Sequence, residues 1–459
     1  MKIILVASLV MTFLFSACKS DDPDPVSKSS SKAIELFSFN TINAVVDAAG
    51  KTIKAEVPSG TDLTKLSPTI TTSGKALVSP ASGTTQDFSK PVVYTVTAED
   101  GSTQAYIVTV TYINNGTVYI GNLDGVFYAV DALTGTEKWK FQAGGAIEAT
   151  PVVVDGVVYI ASWDKKLYAL DAMTGAKKWE VAPGLIQPFA AAAVEKGLVY
   201  YPGDHKLFAI DVTTGAVKWE YQDDEVYGWQ ASPTLLNGTV YASIRGTGPR
   251  VGIYGLDAVS GSKKWKAAKT HITESSPAIA NSILYAGSEY EGFNAFDLAT
   301  GALKWNFAEA SVVNSSPTVS NGLVYIGSGN KKAYALDAIT GTKKWEFLTG
   351  ENTVAYSSPI VSNGILYIGS GSKLYAIDAV TGVKKWDAEP EQNTLIYSGA
   401  VVANTVLYIG IGKKLYSFDA ATGAKKWEFL TSRTISESSP CVLDKDGKSY
   451  QAGISGMVQ

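Results

Sequence analysis

The chain has 459 residues, 46% of them hydrophobic and 18% charged, with a formal net charge of −4. That balance suits an ordered globular protein, excludes a disordered one, and shows none of the basic excess that nucleic-acid binders carry. Only two cysteines (Cys18, Cys441) and two histidines (His205, His271) are present, which excludes a disulfide framework and any zinc site built from four cysteines.

The first 17 residues, MKIILVASLVMTFLFSA, hold one Lys and then an apolar run that is short for a membrane span and has the layout of a signal peptide. Ordinary cleavage after Ala17 would put Phe15 at the −3 position, where a small residue is wanted. FSAC resembles a bacterial lipobox instead, which implies a lipoprotein signal peptide over residues 1–17 and lipidation of Cys18. Several acyl chains on one cysteine anchor stably where one would be marginal. Residues 18–32 are polar and rich in Pro and Ser, the texture of a flexible tether. Within them, Asp21–Asp22 resembles the export tag of surface-exposed lipoproteins.

Over residues 33–113, IELFSF, TIKAEV, PTITTS, VVYTVTAED and AYIVTVTY alternate with period two, separated by turn segments such as GTD, SPAS and EDGS. Several such strands in about 80 residues predict an Ig-like β-sandwich. This stretch resembles the N-terminal Ig-like modules of bacterial surface lipoproteins. It shows no catalytic constellation, so a spacer role is expected, with sugar or protein binding as the alternative.

Residues 114–459 repeat one motif, written DAITGTKKWEF in its sixth copy. Its tryptophans are Trp139, Trp179, Trp219, Trp265, Trp305, Trp345, Trp386 and Trp427, spaced by 40, 40, 46, 40, 40, 41 and 41 residues. Four strand-like pieces per unit and no helical periodicity predict propeller blades, and eight motifs predict eight blades. The Asp of each motif is expected to bind turn N–H groups, and the Gly to take a positive φ. The Trp is expected to wedge against the next blade, and the Lys before it to guard an outer strand edge. The first unit lacks an SSP-type inner strand while SSPCVL is spare at the C-terminus, so SSPCVL is expected to enter the first blade. KSYQAG, which follows, has no evident place.

The pattern SPxVxxGxVYIGSxxxxLYALDAxTGxxxW resembles the quinoprotein-type (PQQ-like) eight-bladed β-propeller family. Placed after a lipobox, it also resembles the lipoprotein scaffold subunit of the outer-membrane β-barrel assembly machinery. That resemblance implies a non-catalytic scaffold. Other members of the quinoprotein family are dehydrogenases that stack a quinone between a Trp and a disulfide of adjacent cysteines, over calcium, with an Asp as base. This chain has no adjacent cysteine pair, and no calcium ligand or base carries over. No cofactor is therefore expected, with PQQ and calcium left as the alternative. Cys441 reads as a small buried thiol.

One propeller face should carry the connectors from each outer strand to the next inner strand, together with the loops between second and third strands. There Asp223, Asp224, Tyr227, Trp229, Arg245, Arg250, His271, Glu274, Glu289 and Tyr290 cluster over blades three to five, a composition that suits a partner-binding patch. Ordinary solvated loops are the plainer reading of the same residues. Trp163, in ASWDKK, reads either as a sugar-stacking platform or as core or rim packing. GTGPRVG lies in no βαβ context, DKDG reads as a hairpin turn, and the KK pairs read as a solvated rim. The expectation is an all-β, lipid-anchored binding or scaffold protein of the outer membrane or cell surface, touching the membrane only through its anchor. It would engage a protein or glycan partner through one propeller face, with a PQQ-dependent dehydrogenase or a glycan-active surface protein as the alternative.

Overall fold

The computed structural model describes residues 27–57, 61–112, 115–182, 189–203, 206–222, 231–244, 252–267, 275–288, 291–311, 313–350, 357–435 and 437–451. They divide into two compact units at residue 113/114. Apart from one 3-10 turn, Leu63–Lys65, the regular structure is all strand. Among the described residues no helix is long and apolar enough to cross a membrane.

The N-terminal unit is built from two sheets. One holds Ile42–Asn43, Ile34–Phe39 and Thr69–Thr72; the other holds Val45–Asp47, Thr52–Val57, Thr103–Tyr112, Val92–Thr97 and Leu77–Ser79 in that order. Thr52–Val57 runs parallel to Thr103–Tyr112, and the other pairings are antiparallel. Alternation explains the core, since Ile53, Ala55 and Val57 point inward while Lys54 and Glu56 are exposed. Phe37 and Phe39 from the first sheet meet Tyr94 and Phe88 edge-on, with Phe37 and Tyr94 ring centroids 5.3 Å apart.

The second unit is an eight-bladed propeller. Its sixth blade pairs Thr318–Ser320, Leu323–Gly327, Lys332–Asp337 and Lys343–Leu348 in sequence order. Across it Tyr325, Ala335 and Trp345 lie in one row. The small middle residue lets the two rings meet, at 6.0 Å between centroids. The same row recurs in every blade with Ala, Gly255 or Ser417 in the middle. Both rings then reach the next blade. Trp345 Nε1–H and Tyr325 Oη–H donate to the Ala379 carbonyl at 3.0 and 3.1 Å.

The indole also lies flat against the turn glycine of that neighbour. A Cβ on Gly382 would sit 2.8 Å from Trp345 Cδ2, and its φ of +73° is in any case glycine territory. The series is circular. Trp139 packs on Gly175, Trp179 on Gly215, Trp219 on Gly261, Trp265 on Gly301, Trp305 on Gly341, Trp386 on Gly423, and Trp427 returns to Gly135.

The lysine before each Trp does more than guard an edge. In every outer strand the register skips one residue, so that Ala335 faces Trp345 while Leu336 faces Lys343. Lys344 is the bulged residue, and the bulge swings it onto Asp337 at 3.2 Å. All eight blades repeat this pair, from Lys138–Asp131 to Lys426–Asp419. The other oxygen of Asp337 accepts the backbone N–H groups of Ile339 and Thr340. These bonds, the Thr340 N–H first and then the Lys344 ammonium, hold the Asp337 carboxyl down at about 2.

Ring closure is shared between the chain ends. Cys441–Leu443 pairs with Thr117–Gly121 as the inner strand of the first blade, with Cys441 opposite Tyr119. Ser449–Gln451, which sequence left unplaced, pairs with Cys441–Leu443 and makes that blade five-stranded. Near the axis, backbone N–H groups of one blade donate to serine hydroxyls of the next, as Ser232 to Ser276 at 3.0 Å and Ser276 to Ser316 at 3.1 Å.

Three outcomes are expected. Trp345→Ala, at a site where the side chain is 9% exposed, should destabilise the propeller by roughly 3–5 kcal/mol, read from denaturant midpoints. Deleting residues 438–459 should abolish the cooperative melt, because the first blade loses its inner strands. Because Asp211, Asp337 and Asp378 titrate lower in the folded protein, their contribution is present above the ordinary carboxylate range. The melting temperature should therefore hold down to about pH 4 and fall as pH drops toward about 2, less steeply in high salt.

Candidate functional site

Strand direction sorts the loops onto two faces. The Asp–Gly turns and the inner hairpins lie on one. The connectors between blades and the loops between second and third strands lie on the other, where length and sequence vary most from blade to blade. The ten residues expected to form a patch over blades three to five all lie outside the described residues, as does Cys18. The eight tryptophans sit at the blade boundaries.

Trp163 lies on the loop face, between Val157–Ser162 and Lys166–Asp171 of the second blade. It is 51% exposed, which excludes core packing and leaves it at the rim. Its backbone is nonetheless held tightly. Trp163 N–H donates to the Ala146 carbonyl at 2.9 Å, and Ser162 Oγ–H to the Gly145 carbonyl at 2.8 Å. Asp164 accepts the Gly144 N–H at 2.8 Å and the Tyr168 hydroxyl at 2.5 Å. A Cβ on Gly145 would come within 2.6 Å of the Asp164 nitrogen, so the glycine permits this close approach. The indole N–H donates to Glu148 Oε2, and Glu148 is almost buried. Phe189, on the next connector, stands edge-on to the indole, with centroids 5.8 Å apart and planes at 87°.

Trp163 stands out in the sequence, whereas Glu148 and Phe189 do not. The signal for them is positional, because each immediately precedes the triplet that opens an inner strand. Other blades show Asn314, Tyr397 and Glu437 at that position.

The described interior offers a different environment. A cavity of about 640 Å³ at the axis is lined mainly by inner-strand residues such as Val153, Val194, Ile360 and Val402, with Asp155 and Lys448 as its charged members. Cys441 is fully buried, and burial pushes its thiol up to about 12, so it is held as the inert thiol. Asp444 accepts the N–H groups of Asp446 and Lys448 and shapes the DKDG hairpin. Among the described residues no three acidic, His or Cys side chains gather closely enough to hold a metal ion.

Comparison with known proteins bears on this arrangement. Residues 75–247 and 249–447 match the family described as outer membrane protein assembly factor BamB. Residues 34–110 match a second family, described as SGBP, N-terminal. The two matches overlap over residues 75–110, and the strands there, Leu77–Ser79, Val92–Thr97 and Thr103–Tyr112, fold with the N-terminal unit. No curated protein matches the chain. Among solved structures, BamB from Moraxella catarrhalis has a TM-score of 0.52 and 22% identity, covering 67% of this chain and 89% of that one. A europium-containing methanol dehydrogenase has a TM-score of 0.56 and 15% identity, covering 68% and 83%. Quinohemoprotein alcohol dehydrogenase ADHIIG from Pseudomonas putida HK5 has a TM-score of 0.53 and 17% identity, covering 75% and 78%. At such identities the structures share a fold, and chemistry does not follow from it. The BamB match takes in the repeat array from its first blade to its last, and the chain belongs to this family of PQQ-like repeat propellers.

Proposed function

We propose that this protein is a lipid-anchored, non-catalytic binding propeller of the outer membrane or cell surface, which engages a protein or glycan partner through its loop face. The observation that carries this reading is the division of labour between the two faces. On the turn face Asp, Gly and Lys recur in all eight blades and are consumed by blade docking. On the loop face the side chains differ from blade to blade, and Trp163, Phe189, Leu395 and Tyr397 stand exposed. Exposed aromatic residues on rigid loops are what a binding surface needs. The family description, an outer membrane protein assembly factor, supports a protein partner at the envelope. FSAC supports the anchor.

The direction of the chain fits the same reading. The Gly116 carbonyl accepts the Ala132 N–H and the Lys138 ammonium, so the polypeptide enters the propeller on the turn face.

Two measurements in cells test the proposal. Cys18→Ala should move the protein from the membrane to the soluble fraction. A photo-cross-linking residue at Leu395 should capture a discrete partner, while one at Met173 on the turn face should not. Membrane retention of Cys18→Ala would remove the anchor, and equal capture from both faces would remove the face assignment.

A further inference from the structure

The repeat supplies its own control for Trp163. In the sixth blade the same loop is closed by Gly329, whose N–H donates to the Ser311 carbonyl at 2.8 Å. That bond is the counterpart of Trp163 N–H to Ala146. There Asn330 and Tyr334 take the places of Asp164 and Tyr168, and they too are hydrogen-bonded, at 2.6 Å. In the first blade Leu123 stands at the same point, with its N–H on Thr434. The loop therefore folds with glycine or leucine where the second blade has tryptophan, and folding does not call for the indole.

An exposed indole that folding does not require is nonetheless fixed in orientation. Its N–H is spent on Glu148, its backbone is clamped, and Phe189 forms a wall at right angles to it. We propose that Trp163, Phe189 and Glu148 form a subsite for a neutral pyranose sugar on the loop face, at the junction of the second and third blades. The site rests on the loop face being the binding face, and it names one ligand class for that face.

The chemistry points to a sugar for five reasons. A pyranose presents a flat patch of C–H bonds, which packs on the electron-rich face of an indole. The second aromatic plane, at 87°, meets the edge of a ring lying on the first. Sugar hydroxyls need an acceptor and a donor beside the platform. Glu148 has a second oxygen with no hydrogen-bond partner among the described residues, and Lys165, two residues after Trp163 in the same loop, is exposed. Charges of both signs lie around the platform, Glu148 and Asp164 against Lys165 and Lys166, so it offers a strongly charged ligand no single-signed field. The rigidity matters too, because an indole already held in place loses little freedom on binding.

Affinity electrophoresis in neutral polysaccharide gels, with an array of neutral gluco-, manno-, galacto- and xylo-oligosaccharides, tests the subsite on the full chain. Wild-type protein should bind at least one of these sugars. Trp163→Ala and Phe189→Ala should each weaken that binding about tenfold or more, with melting temperatures unchanged, and Trp163→Phe should retain part of it. Absence of binding to every neutral sugar would overturn the proposal, as would equal binding by wild type and Trp163→Ala. Either failure alongside intact cross-linking at Leu395 would remove the sugar and leave the partner-binding reading in place. Loss of the Leu395 cross-link in Trp163→Ala without sugar binding would make the corner a protein anchor and overturn the sugar assignment.

Discussion

The propeller depends on one contact made eight times, an indole laid on a glycine of the neighbouring blade. The contact has three parts that must coincide. A small residue in the third strand lets Tyr and Trp share one side of the sheet. A carbonyl in the next blade accepts N–H or O–H donors from those rings, and a glycine without Cβ leaves room for the ring itself. Each part is cheap alone and useless without the others. That explains why so many letters recur together, and why a substitution at any of them is felt at a blade boundary.

Where a residue serves a blade boundary, its role was legible from sequence, because the boundary recurs and the residue recurs with it. Trp spacing gave the blade number, and the turn Asp and Gly read correctly from their chemistry. The lysine before each Trp was legible only as a charge on an outer strand. Its ion pair arises from a one-residue bulge, and a bulge is an event of pairing between strands that no single strand announces. The C-terminal Ser449–Gln451 was illegible for a related reason, since its pattern fits a second strand as well as an extra inner one.

The candidate site was only half legible. Trp163 stood out as a departure from the repeat, but an aromatic residue after a strand can face inward or outward with equal sense. Only the Glu148 bond and the exposure of the ring decide between them. Glu148 and Phe189 come from two different connectors, and sequence does not bring connectors of adjacent blades together. A repeat protein thus separates two kinds of information. Uniform positions carry the architecture, and deviations on one face carry whatever the molecule recognises.

Closing the ring with the last strands has a cost during biosynthesis. Gly121 finds the Ser438 hydroxyl across a separation of 317 residues. At roughly 5–20 residues per second, the nascent first blade waits on the order of 15–60 s for its partner. Throughout that interval the strand Thr117–Gly121 presents a bare, largely apolar margin of hydrogen-bonding groups, the kind that captures stray strands. A chaperone that shields this margin, or export of the polypeptide before it folds, would protect the open ring until its last strands arrive.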